Sequence, residues 1–234
     1  MIYRIIAQSF LFFFILVCSQ VSYALVQENH VEIQLIKPTS DSPQIGVYFK
    51  IDPEWHIYWK NPGDSGATPK FSINGRPIDK IKWPYPKRIP VGHLVNFGFE
   101  NETVIFLINK YYSNEDVLNL EWLVCKVDCI PGFADVPLVD ESIQLNKDLW
   151  TKYQNKVPSE IADGKIEFIR ENDSGFEFKL SDTKLLKENL NNLFIFPHDG
   201  TRFSTKAPSV SKSDNSINIK AFKSVNVDDK RIPA

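Results

Sequence analysis

Residues 31–51, VEIQLIKPTSDSPQIGVYFKI, set Val31, Ile33 and Leu35 at alternate positions, break at turn residues, then resume as a β-branched and aromatic run. Alternation of this kind points to half-buried strands. The same texture continues outward through HIYW (56–59), VIFLI (104–108), LEWLVC (120–125) and ADVPLV (134–139). Between these runs lie Asn61-Pro62-Gly63-Asp64-Ser65-Gly66, Asn74-Gly75-Arg76-Pro77 and Trp83-Pro84-Tyr85-Pro86, none of which can continue a helix. The reading is an all-β fold, an antiparallel sandwich.

At the N-terminus, Arg4, an apolar stretch from Ile5 to Val17 and the ending Ser22-Tyr23-Ala24 read as a signal peptide over residues 1–24, cleaved after Ala24. Cys18 invites a lipoprotein reading, which Val17 before it disfavours because a small residue is expected there. No later stretch approaches the roughly 20 apolar residues of a membrane span, so a soluble exported protein in an oxidising compartment is expected. Cleavage removes one basic residue and no acid, moving the formal charge from −2 to −3. That balance argues against a nucleic-acid partner.

The expected organisation is a sandwich over 25–145, a short helix or linker over 146–160, and a second, smaller β-domain over 161–234. The linker reading rests on NKDLWTKYQNKVPSEI, whose Leu149, Trp150, Tyr153 and Val157 have helical spacing. In the last part KIEFIR, GFEFKL, LFIFP and SINIKAF read as strands.

Export leaves two cysteines, Cys125 and Cys129, in CKVDCIP. A structural staple is the ordinary use of such a pair. A ring of about five residues, however, contributes only about 2 kcal/mol, against about 4.7 for a ring of about 100. A short ring that is strained or exposed is also readily reduced. A redox-active pair is the favoured reading. A metal site using Cys125, Cys129 and His56 or His93 stays open, as zinc or Cu(I), although one C-x-x-x-C is a weak zinc signal. No Gly-x-Ser-x-Gly elbow is present. The aromatics of Trp55-His56-Ile57-Tyr58-Trp59 fit core packing better than a stacking platform.

Four blocks in order, WHIYWKNPGDSGATP (55–69), WPYPKRIP (83–90), NFGFENETVIFLI (96–108) and WLVCKVDCIPGFADVPL (122–138), resemble the N-terminal periplasmic domain of the DsbD family, and more closely its ScsB-type copper-tolerance relatives. The resemblance implies an immunoglobulin-like sandwich that relays electrons by disulfide exchange, with no cofactor and no resident metal. Its implied partners are a separately encoded membrane-embedded reductase of the DsbD or ScsB kind and periplasmic thioredoxin-like thiol proteins. Cys129 would be the attacking thiol and Cys125 the resolving one. Asn96-Phe97-Gly98-Phe99 matches the family's aromatic cap loop, making Phe97 the expected lid and Phe99 the second choice. Val95-Asn96 stands where DsbD proper has acids, and the cysteines are closer together, so the acid-assisted part of that chemistry does not carry over. The segment NLFIFPHDGTRFS (192–204) is similar to the second β-domain of ScsB-type proteins. The alternative function is a non-catalytic binding module, for a metal such as Cu(I) or for a protein, with a structural disulfide.

Overall fold

The computed structural model describes residues 25–92, 94–108, 112–159, 165–181, 190, 193–197 and 204–223. The signal-peptide segment, Cys18 and His93 lie outside them. Two sheets face each other. The first runs β1 (Val26–Glu28), β2 (Val31–Lys37), β3 (Ile45–Ile51), β10 (Glu102–Leu107) and β7 (Ile81–Lys82), with β13 (Ile143–Leu145) added parallel to β2. The second runs β6 (Arg76–Pro77), β5 (Lys70–Ile73), β11 (Val117–Cys125), β4 (His56–Gly63), β9 (Leu94–Glu100) and β8 (Lys87–Val91), while β12 (Cys129–Pro137) pairs with β11.

Their inward residues form one core. Val31, Ile33, Leu35, Val47, Phe49, Ile105 and Leu107 of the first sheet meet Ile57, Trp59, Leu118, Leu120, Trp122 and Val124 of the second. Phe49 presents its ring edge-on to Phe71 at 6.4 Å and to Trp122 at 6.1 Å, an arrangement that the ring quadrupoles favour. The alternation of Val31, Ile33 and Leu35 is therefore the inner face of β2, as its spacing implies. The strand reading, an all-β immunoglobulin-like sandwich, is what the chain adopts.

The helix expected between domains is α1 (Lys147–Gln154), and it packs on the first sheet. Asn146 caps it by accepting a hydrogen bond from the Leu149 amide at 3.0 Å. Trp150 and Tyr153 bury themselves against Ile36, Val104 and Phe106, with the Trp150 ring 4.7 Å from that of Phe106. The first sheet is thus covered on both faces. That explains why VIFLI is apolar without alternation.

A third, antiparallel sheet has the order β14 (Lys165–Asn172), β15 (Gly175–Ser181), β17 (Ser216–Phe222) and β16 (Ser209–Ser213). Two details differ from the sequence reading. LFIFP forms no strand, because its side chains divide between two bodies: Leu193 and Ile195 pack with Leu180, Ile217 and Ile219, whereas Phe196 packs against the sandwich. Conversely, the polar segment SVSKS does form a strand, recruited by hairpin pairing with β17 across Asp214-Asn215 rather than by apolar burial.

Replacing Trp150 by Ala removes the side chain that covers the outer face of the first sheet. Urea denaturation of W150A should show a loss of about 3–5 kcal/mol, the usual range for a large buried aromatic.

Candidate functional site: a disulfide on the outer face of the second sheet

Cys125 ends β11 and Cys129 begins β12, directly opposite each other in the ladder, so Lys126-Val127-Asp128 is a three-residue hairpin loop. Ile130-Pro131-Gly132 continues the chain within β12. The two Cα atoms are 4.2 Å apart and the sulfurs are bonded. Such closeness fits a cross-strand pair of the non-hydrogen-bonded type, whose side chains approach most closely. Strand alternation then settles which way the sulfurs face. Leu118, Leu120, Trp122 and Val124 enter the core, so Cys125 points to the outer face of the sheet. Pairing of Cys125 with His56, and of Val124 with Ile57, brings β4 into the same phase. Ile57 and Trp59 are inward, while His56 and Tyr58 share the outer face with Cys125.

The two sulfurs differ in access. Cys125 is 3% exposed, whereas Cys129 is exposed, beside Val127 at the tip of the hairpin. The Tyr58 hydroxyl donates to Cys125 Sγ at 2.9 Å and lies 3.5 Å from Cys129 Sγ. Tyr58 itself is fully buried because the loop after β4 folds over its ring. Gly66 makes this possible: its φ is +89°, and a Cβ there would sit 2.1 Å from the ring. Only glycine fits both conditions.

Behind Tyr58 stands Asn96, 1% exposed. Its Oδ1 accepts from the Ser65 amide at 3.2 Å and the Ser65 hydroxyl at 2.8 Å. Those donors fix the orientation of the amide, so Nδ2 is the donor toward Tyr58 Oη and His56 Nε2, both at 3.4 Å. His56 is then the neutral tautomer carrying its proton on Nδ1. Burial agrees, pushing the His56 imidazole below its ordinary value against a smaller opposing pull from Glu100. Burial also raises the Tyr58 phenol, partly offset by Ser65, so it remains a donor. The result is a directed chain, Asn96 to Tyr58 to Cys125.

The residues expected as a lid lie elsewhere. Phe97 and Phe99 are 2% and 6% exposed and belong to the core. In β9 they alternate with Asn96, Gly98 and Glu100, so they face away from the sulfurs. The Phe97 ring meets Phe196 edge-on at 5.2 Å. His56 lies near the sulfurs, yet its Nε2 is engaged by Asn96; among the described residues no three His, Cys, Asp or Glu side chains converge as metal ligands. Sequence reasoning missed the roles of Tyr58 and Asn96, and that of Ser65 behind them. The only signal was their phase relative to Cys125, which requires the β4–β11 register.

The sequence profile described as "Thiol:disulfide interchange protein DsbD, N-terminal" matches residues 23–141. The chain belongs to the DsbD N-terminal family. Its fold is similar to a solved structure described as the N-terminal periplasmic domain of ScsB from Proteus mirabilis, at 17% identity and a TM-score of 0.63, covering 88% of this chain and 86% of that one. Coverage of that extent reaches past the family-matched residues of this DsbD-family chain into its third sheet. No curated protein matches the chain.

The buried His56 carries a pH signature. Its folded-state pKa is depressed below about 6.5, so as pH falls through that value the unfolded chain takes up a proton that the folded chain refuses, and stability declines. Above that window the effect vanishes. Urea midpoints across pH 8 to 5 should fall for the wild type and fall less steeply for His56→Gln, which keeps an acceptor for Asn96 but cannot titrate.

Proposed function

We propose that the Cys125–Cys129 disulfide is the working centre of a periplasmic electron relay, standing between a membrane-embedded reductase of the DsbD or ScsB kind and thioredoxin-like thiol proteins. The family description supports thiol:disulfide interchange, and the description of the ScsB relative as a periplasmic domain supports the compartment. The observation that carries the reading is the asymmetry of the pair: an exposed Cys129 and a buried Cys125 whose sulfur receives the Tyr58 hydroxyl.

That asymmetry supports a division of roles. A partner thiolate attacks Cys129 Sγ, the reachable sulfur; the Cys125–Cys129 bond breaks, and Cys125 leaves with the electron pair. The developing negative charge on Cys125 is met by the Tyr58 O–H, and hydrogen bonds to an ionised acceptor are the strong ones. The partner's second thiolate then attacks its own sulfur in the mixed disulfide and expels Cys129. Two electrons pass to the pair, and the partner dithiol becomes a disulfide. Run in reverse, Cys129 attacks an oxidised partner and Cys125 resolves the adduct.

Equilibrating the folded protein in glutathione or dithiothreitol buffers should give a reduction potential of about −180 to −270 mV, the range of working thiol oxidoreductases. A value well below about −300 mV, with thiols that react only after denaturation, would instead mark a structural bond and leave a binding module. Cys125→Ser should accumulate mixed disulfides through Cys129, whereas Cys129→Ser, left with only the buried thiol, should not. Tyr58→Phe should slow reduction of the disulfide by about tenfold or more, the kinetic equivalent of losing one charge-assisted hydrogen bond. Stopped-flow reduction by dithiothreitol checks this.

A further inference from the structure

Among the described residues, Phe196, Pro197 and Thr205 join the C-terminal part of the chain to the sandwich beside the sulfur site. The Phe196 ring lies edge-on to Trp59 at 6.0 Å and to Phe97 at 5.2 Å. The carbonyl of Pro197 accepts a 2.8 Å hydrogen bond from Nδ2 of Asn61, a side chain only 3% exposed. Thr205 Oγ1 donates at 2.8 Å to Asp64 Oδ2, which also accepts from the Val95 amide at 2.9 Å. All three fall on two short stretches, Trp59–Asp64 and Val95–Phe97.

Those same stretches adjoin every member of the hydrogen-bond chain to Cys125. Trp59 follows Tyr58, Asp64 precedes Ser65, and Asn96 sits between Val95 and Phe97. The β4–β9 ladder shifts register between Tyr58 and Gly63, so regular pairing with β9 does not hold this part of β4, while β9 itself keeps its ladder with β8. Contacts from outside the sandwich add to the hydrogen bonds that Asp64 and Ser65 make with Val95 and Asn96. They are firmly backed: Leu193 and Ile195 pack with the core of the third sheet, and the Ser204 amide donates to the Phe222 carbonyl in β17 at 2.8 Å.

We infer that Phe196, assisted by Pro197 and Thr205, is a positioning residue for the disulfide: the third sheet clamps β4 and β9 so that Asn96 and Tyr58 stay aimed at Cys125. This rests on the interchange reading above and gives the third sheet a role in it. Phe196 touches no sulfur. It acts through Phe97, whose backbone neighbour is Asn96, and through Trp59, whose neighbour is Tyr58.

The test uses the full chain with Phe196→Ala, taking Trp150→Ala as a control destabilised at a distance. Three quantities are read: the rate of disulfide reduction by dithiothreitol, the pH at which thiolate absorbance develops in the reduced protein, and the urea midpoint. Phe196→Ala should slow reduction about tenfold and move thiolate formation to higher pH, as expected if a charge-assisted hydrogen bond to Cys125 is weakened. Trp150→Ala should lower the urea midpoint and leave both thiol readouts as in the wild type. If Phe196→Ala changes only the urea midpoint, the positioning role is overturned while the interchange reading stands. If that variant does not fold, Thr205→Val, which deletes one hydroxyl, should slow reduction about two- to threefold, and an unchanged rate there overturns the role. A wild-type disulfide that resists reduction in the folded state overturns the interchange reading, and the positioning role with it.

Discussion

The arrangement of this molecule hangs on the phase of β11. One edge of that strand pairs with β12 along its whole length, and the other pairs with β5 and then β4. Leu118, Leu120, Trp122 and Val124 must enter the core, which obliges Cys125 to face outward. A slip of one residue would turn the polar Asn119 and Glu121 inward and expose the apolar set, so the burial of one face specifies the register strongly. Everything at the sulfur site inherits that phase. His56 and Tyr58 reach Cys125 because β4 is locked to β11 at its last two residues.

The same packing explains why the fold does not rest on the disulfide. A five-residue ring restrains the unfolded chain by only about 2 kcal/mol, whereas burying a single Leu, Val or Phe side chain is worth about 1.5–3 kcal/mol. The sandwich core contains many such side chains. The hairpin is moreover zipped by cross-strand pairing from Val117–Pro137 up to Val124–Ile130, independently of the sulfurs. Opening the bond leaves that ladder in place. A pair located deeper in the core would have coupled its redox state to folding.

Much of the fold was legible because strand alternation writes burial into the sequence directly. Val31, Ile33 and Leu35 declare an inner face without reference to any other strand. The site was less legible, because it depends on pairing between segments distant in sequence. Tyr58 and Cys125 are 67 residues apart, and nothing in WHIYW says which of its aromatics faces the sulfurs. Phe97 shows the converse. Its motif matches a cap loop, but its phase in β9 turns it into the core, and the residue facing the sulfurs is its neighbour Asn96. LFIFP failed as a strand for a similar reason. An apolar run can be apolar because it serves two cores at once, and composition does not distinguish that from a buried strand.

The chemistry of the groups around Cys125 also has an internal logic. Where a carboxylate would bring its own titration and a negative charge that opposes a thiolate, this site has Asn96, an amide that never titrates. Burial shifts the two ionisable side chains beside it away from neutrality in opposite directions, His56 downward and Tyr58 upward. Each therefore holds one protonation state near neutral pH: His56 accepting at Nε2, Tyr58 donating to sulfur. The hydrogen-bond chain keeps a fixed polarity, with its donor end always on Cys125. Within this cluster the fixed donor faces the buried sulfur of the pair. The Tyr58 hydroxyl at 2.9 Å thus distinguishes Cys125 from the exposed Cys129 chemically as well as by access.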